Sequence, residues 1–196
     1  MPIDTQAITK LRQATGAGVA DVKSALEEAG GDDQKAIEIL RKKGALKAAK
    51  KMAERTTGEG VVDAYIHSNG KVGVLIQLQC ETDFVARTDD FKSLAHDISL
   101  HVAAANPLYL KPEDVPAEEV AKEKEIYQVQ LKAEGKPAAM MEKIIAGKVE
   151  KYYQDVCLLK QIFVKDDSIT IEKLIEQAVA KMGEKIELVR FVRLKI

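Results

Sequence analysis

The chain has no tryptophan, two cysteines and three histidines, and aromatic residues make up 5% of it. Each scarcity excludes something. Cys80 and Cys157 are far apart and form no Cys-x-x-Cys pair, so neither a disulfide framework nor a zinc-site spacing is present. Each is expected to be a buried, inert thiol in a reducing compartment. So few rings leave little for stacking on bases. A formal net charge of −1 supplies no surplus of cations to displace counterions from phosphates. No run of about 18 apolar residues occurs, so no membrane span is expected. The leading segment MPIDTQAITK lacks an apolar core and carries one cation, unlike secretory or Arg-rich targeting peptides. A cytoplasmic location is therefore expected.

Catalytic constellations are missing too. There is no GxxxxGK[ST] segment to cradle phosphates. Gly16-Ala17-Gly18 begins a GxGxxG pattern, but Asp21 stands at the third glycine and no strand precedes it, so a dinucleotide-binding reading fails. His96 and His101 are five apart, whereas metal ligands on one helix face need a spacing of four. Cys80 is followed by Glu81 and Asp83, acids that oppose thiolate formation rather than activating a nucleophile near His67. No enzyme activity, metal or cofactor is expected.

What is present is a soluble α+β pattern. Residues 4–43 read as three short helices: Ala7, Ile8, Leu11 and Ala14 share a face, then Val19, Val22, Leu26 and Ala29, then Ala36, Ile37 and Leu40. Gly-rich breaks at 15–18 and 30–31 separate them, and Gly44 suits a C-cap. Residues 45–55 form a basic, Ala-rich linker helix that extends a cationic run begun at Arg41. It is either a solvated face or a contact for an acidic surface. Segments 60–67 and 71–80 read as a hairpin turned at Ser68-Asn69-Gly70. A loop, 81–87, leads to a helix over 88–105 with Thr88 as N-cap and Phe91, Leu94, Ile98 and Val102 as its buried stripe. Pro107 and Pro112 mark the next connection. Two charged helices, 116–134 and 137–156, follow and break at Gly135-Lys136-Pro137. Their narrow apolar seams (Val120, Tyr127, Leu131 against Met141, Ile145, Val149, Tyr152, Val156) suggest a protruding antiparallel coiled-coil hairpin at about 112–156. A helix over 171–182, stopped by Gly183, precedes a strand at 186–196 that is apolar on both faces. This strand is expected to join the hairpin in a three-stranded antiparallel sheet packed with helices. The division expected is 1–55, a helical domain with its basic linker, and 56–196, a core domain.

The loop Glu81-Thr82-Asp83-Phe84-Val85-Ala86-Arg87 sits at a strand–helix junction, where side chains can be presented outward. By itself the pattern leaves two readings: Phe84 plugs the core while Asp83 caps a helix, or the pair faces a partner.

Several segments together carry a resemblance. KLRQATGAGVADVKSALEEAGGD at 10–32 and LQCETDFVAR at 78–87 are the most specific. GKVGVLIQL, HVAAANPLYL, EGKP, FVKDD and KMGEKIELVRF follow in order. The chain resembles the elongation factor Ts family in its short, single-core form, essentially from end to end. The resemblance implies a ubiquitin-associated-like N-terminal domain and a guanine nucleotide exchange factor for elongation factor Tu. It implies that Thr82, Asp83, Phe84 and Val85 are inserted near the partner's Mg²⁺ site. Lys23 and Val19 in the N-terminal module, Val164 with Lys165, and Met182 with Gly183 match further contact positions. Val19-Ala20 stands where many members carry Met-Met, which implies a smaller patch. Short forms are expected to pair as homodimers, with the 186–196 strand a candidate for burial. The competing readings are a nucleic-acid-binding adaptor using the 41–55 helix and a binder of ubiquitin-like domains.

Overall fold

A computed structural model describes residues 5–196, with the side chains at 45 and 47–53 outside that description. The order of elements is α1 (Thr5–Thr15), α2 (Val19–Glu28), α3 (Asp33–Glu54), β1 (Glu59–Ile66), β2 (Val72–Cys80), α4 (Asp83–Ala86) and α5 (Asp89–Ala105), then α6 (Ala117–Ala133), α7 (Ala138–Val156), β3 (Ile162–Phe163), β4 (Asp166–Thr170), α8 (Ile171–Met182) and β5 (Glu187–Lys195). The fold is α+β. A three-stranded antiparallel sheet runs β1-β2-β5 with β2 central, and β3-β4 is a separate two-stranded hairpin. The chain divides into two compact units: Met1–Asp63, Gln77–Ala95 and Lys173–Val189, and Ala64–Ile76, His96–Glu172 and Arg190–Ile196.

In the first unit, α1–α3 close around Leu11, Val22, Ala25, Leu26, Ala36 and Leu40. The double glycine ends α2 for a specific reason. Gly30 and Gly31 adopt φ of 63° and 87°. Their N–H groups return to the carbonyls of Glu27 and Leu26, satisfying the last turn in a Schellman arrangement. Three sequence expectations fail here. Gly44 is not a C-cap, because α3 runs unbroken from Asp33 to Glu54 and absorbs the expected linker. Ala14 is exposed, and so is Val19, at 51%. Val19 opens α2 directly after extended Gly18, a turn ahead of the residues that meet the core. The cationic face expected along 45–55 rests largely on side chains outside the described residues.

Strand β2 alternates as its pattern predicts. Val74, Ile76, Leu78 and Cys80 are buried while Leu75 is exposed. The β1–β2 turn differs in mechanism from the one expected. Gly70 takes φ 68°, but Asn69 keeps a negative φ and uses its Oδ1 to accept the Lys71 N–H at 2.9 Å. That is an Asx turn rather than a two-residue hairpin loop.

In the second unit, the α6–α7 hairpin turns on Gly135 (φ 69°), with the N–H groups of Gly135 and Lys136 returning to Lys132 and Leu131. Leu131 and Val149 are its buried centre, and Lys148 Nζ lies 5.2 Å from the Tyr127 ring. Glu119 at its base accepts from the hydroxyls of Tyr109 (2.9 and 2.8 Å) and Tyr152 (3.3 Å). Burial and this carboxylate push the Tyr152 phenol up to about 12. Asn106, directly after α5, lies in the left-handed region at φ 52°, and Arg193 donates to the Ala103 carbonyl at 3.1 and 3.3 Å. A cation at a helix C-terminus is favourable. This contact turns Arg193 inward, and Val192, Leu194 and Ile196 stay exposed.

Gly60 lies hard against the paired strand. A Cβ there would collide with the Leu78 carbonyl oxygen and stand 2.8 Å from Gln79 Cα. Both are backbone atoms of the paired strand, so they cannot swing aside. Gly60→Ala should destabilise the fold by about 1–3 kcal/mol, read as a lowered urea midpoint at unchanged slope.

Candidate functional site

Strand β2 ends at Cys80, and the chain passes through Glu81 and Thr82 into the four-residue helix α4. So short a helix has no stability of its own, because nucleation costs more than one turn returns. It is held by its cap. Thr82, in extended conformation, accepts the Val85 N–H on Oγ1 at 3.4 Å. Thr82 itself is bound on every side. Its N–H and hydroxyl both donate to Glu184, at 3.0 and 2.7 Å. Its carbonyl accepts from Cys80 Sγ at 3.2 Å and from the Ala86 N–H at 3.2 Å. Ala86 is buried beneath the turn.

On this pedestal Phe84 is 79% exposed. The reading in which Phe84 plugs the core therefore fails, and so does Asp83 as a cap, since Thr82 takes that role. Asp83 instead pairs with Arg87, one turn on, at 2.8 Å. Val85 is half-buried. The loop thus offers an apolar ring and an acid at its surface while its backbone is fixed.

The loop has a second neighbour in the turn after α8. Gly183 takes φ 82° and its N–H returns to Val179, ending the helix as expected. The following residue, Glu184, is thereby aimed at the 81–82 backbone. Met182 and Gly183 are both half-buried. Lys23 and Val19 lie exposed on α2 in the same unit.

Val164 and Lys165 belong to the second unit, at the β3–β4 turn. Val164 is 46% exposed, and Lys165 pairs with Asp97 at 2.6 Å. The turn is anchored by His101, which is fully buried. Its Nδ1 accepts the Val164 N–H at 3.3 Å, so Nε2 carries the proton and donates to Gln161 Oε1 at 3.1 Å. Gln161 in turn donates to the Asp155 carbonyl at 2.7 Å.

Both cysteines are buried and free. Burial, and then the Glu184 carboxylate, raises the Cys80 thiol pKa. The acid that acts on it is not Glu81 or Asp83 of the adjoining loop, as expected from the sequence, but Glu184 from far along the chain. Among the described residues, no group of His, Cys, Asp and Glu could hold a metal ion, and no helix is long and apolar enough to cross a membrane.

An aromatic ring thus stands exposed on a hydrogen-bonded turn in an α+β frame. Comparison with known proteins then specifies the family. The family model described as Elongation factor TS matches residues 11–196. The elongation factor Ts of Fervidobacterium nodosum is 58% identical over 196 residues, covering 100% of this chain and 99% of that protein. That of Thermotoga petrophila is 55% identical, covering 100% and 97%. That of Carboxydothermus hydrogenoformans is 53% identical over 194 residues, covering 99% and 89%. The chain belongs to the elongation factor Ts family, a family of translation elongation factors.

The anchor of the β3–β4 turn makes a pH prediction. Burial lowers the His101 pKa below its ordinary value of 6.5. The unfolded chain then binds the extra proton more readily, so stability is complete above about pH 6.5 and declines as pH falls through the folded value. Thermal unfolding between pH 5 and 8 should show this decline, and His101→Gln should remove that component of it.

Proposed function

We propose that this protein is a guanine nucleotide exchange factor that docks on the GDP-bound form of elongation factor Tu in the cytoplasm and acts by no covalent chemistry. The observation that carries the reading is Phe84, a large apolar ring kept 79% exposed on a turn whose Thr82 backbone is bound to the Glu184 carboxylate. Leaving such a ring in water forgoes roughly 1.5–3 kcal/mol of burial, which becomes available on binding. Membership of the elongation factor Ts family supports the choice of partner.

In this reading Thr82, Asp83, Phe84 and Val85 enter the GTPase beside its Mg²⁺. Mg²⁺ bridges phosphate oxygens to the protein, so disturbing its ligands removes a large local attraction for GDP. GTP then rebinds. Linkage sets the requirement: an exchange factor must bind the nucleotide-free partner better than the nucleotide-bound one. A 10⁴-fold shift needs about 5.5 kcal/mol of differential affinity, which one Phe side chain cannot supply. The remainder falls to the other contacts: Lys23 and Val19 on α2, Met182 and Gly183 after α8, and Val164 with Lys165 at the β3–β4 turn. Exposure of Val19 fits a docking role better than a core role.

We also propose that two copies pair through the open face of the sheet. Ile66, Leu75, Val192, Leu194 and Ile196 are all at least half-exposed in the second unit. Apolar residues gathered on one sheet face mark an interaction surface, and a two-fold pairing is the commonest closed solution.

Release of a fluorescent GDP analogue from elongation factor Tu tests the first proposal. Phe84→Ala should slow release at saturating factor by about 10- to 100-fold, with a smaller loss of complex formation. Equal rates would reject the wedge. For the second proposal, Val192→Glu should give a folded monomer by light scattering; a persistent dimer would place the interface elsewhere.

A further inference from the structure

The residues that hold the loop suggest how Phe84 is kept in place. Glu184 is half-buried, and its carboxylate accepts three hydrogen bonds from the loop. Oε2 takes the N–H groups of Glu81 (3.2 Å) and Thr82 (3.0 Å), and Oε1 takes the Thr82 hydroxyl (2.7 Å). A hydroxyl has one proton and two lone pairs. With its proton committed to Glu184, the Thr82 oxygen can only accept from Val85, and that bond is the N-cap of α4. The carboxylate therefore determines the direction in which the cap works, and α4 carries Phe84.

The arrangement is reciprocal. Glu81 accepts the Lys185 N–H and binds Arg55 Nη1 at 3.0 and 3.1 Å. Each acid thus accepts a backbone N–H from the other's segment. Arg55 follows the last residue of α3 and also reaches the Gly183 carbonyl at 3.5 Å. Arg55 thus ties the end of α3 to the Glu81 carboxylate and to the residue before Glu184.

The geometry points to Glu184 as a positioning residue for nucleotide exchange, acting through Thr82 to hold Phe84 in the orientation that enters the partner. This rests on the exchange-factor reading above. Glu184 holds the loop rather than contributing contact area of its own. Its removal should therefore lower the maximal rate of exchange and leave docking nearly intact. Reach within about half an ångström is what separates a positioned group from one that is merely present.

Glu184→Gln tests this with little change in volume. An amide offers one acceptor oxygen where the carboxylate offers two, so one of the three donors must lose its partner. A hydrogen bond to a charged group is worth enough that maximal GDP release from elongation factor Tu should fall at least about tenfold, with half-saturation changed by less than about threefold. In the Phe84→Ala background, Glu184→Gln should add nothing, because both changes act through one ring. An equal loss in both backgrounds would show that Glu184 acts independently of Phe84 and would overturn the proposal, as would a wild-type maximal rate. Thr82→Val, which removes the hydroxyl that binds Glu184 and caps α4, should lower the maximal rate as Glu184→Gln does. Amide hydrogen exchange at Val85 in the free protein gives a readout without the GTPase. Glu184→Gln should speed it at least about tenfold. Unchanged protection would overturn the positioning role, whether or not the wild type accelerates GDP release. Absent acceleration by the wild type would instead defeat the exchange reading.

Discussion

The pairing of the Glu184 carboxylate with the Thr82 backbone and hydroxyl is the constraint on which the exposed loop depends. A ring in water has no packing to hold it, and α4 is too short to hold itself. Order must come from the polar atoms beneath. Charge-assisted hydrogen bonds suit the task, since they are directional and roughly twice as strong as neutral ones. The sheet brings the Thr82 end of β2 into place, and the left-handed Gly183 brings Glu184 to meet it. The loop is consequently hydrogen-bonded at its base and apolar at its tip.

The two units use hydrophobicity in the same way, each with an exposed exception. In each, burial does the ordinary work. Leu11, Val22 and Leu26 close the helical module, while Ile98, Val102 and Leu158 lie fully buried in the second unit. Against that background Phe84, and the sheet face with Val192, Leu194 and Ile196, are exceptions. An exposed apolar group is informative when it is gathered with others or held by fixed polar contacts, and these two places satisfy one condition each. Buried polar groups show the complementary device. His101, with one tautomer set by Val164 and Gln161, ties a short turn to α5 without a charge.

Much of the architecture could be read from spacing. The apolar stripe of α5, the alternation in β2, the seam of the α6–α7 hairpin and the Gly183 stop all follow from periods of 3.6, 3.5 or 2 and from the permissive backbone of glycine. Local signals misled where two conformations were equally open. Gly44 looked like a helix end, yet it lies inside α3 with Ala180 Cβ at 3.6 Å from where its own Cβ would stand, so tertiary packing carried the helix onward. The β3–β4 hairpin was not legible, because a two-residue strand has too little pattern to recognise.

The sequence by itself determined most of the helical stripes, the apolar face of β2, and that a Thr-Asp-Phe-Val segment would stand at a strand–helix junction. These are local matters of periodicity, capping and turn chemistry. The outward direction of Phe84, the partnership of Glu184 and Arg55 with that junction, and the inward turn of Arg193 were decided only by the tertiary structure. The physical reason is that a hydrogen bond between Thr82 and Glu184 depends on where the folded chain brings two distant segments, and no spacing along the chain encodes that meeting.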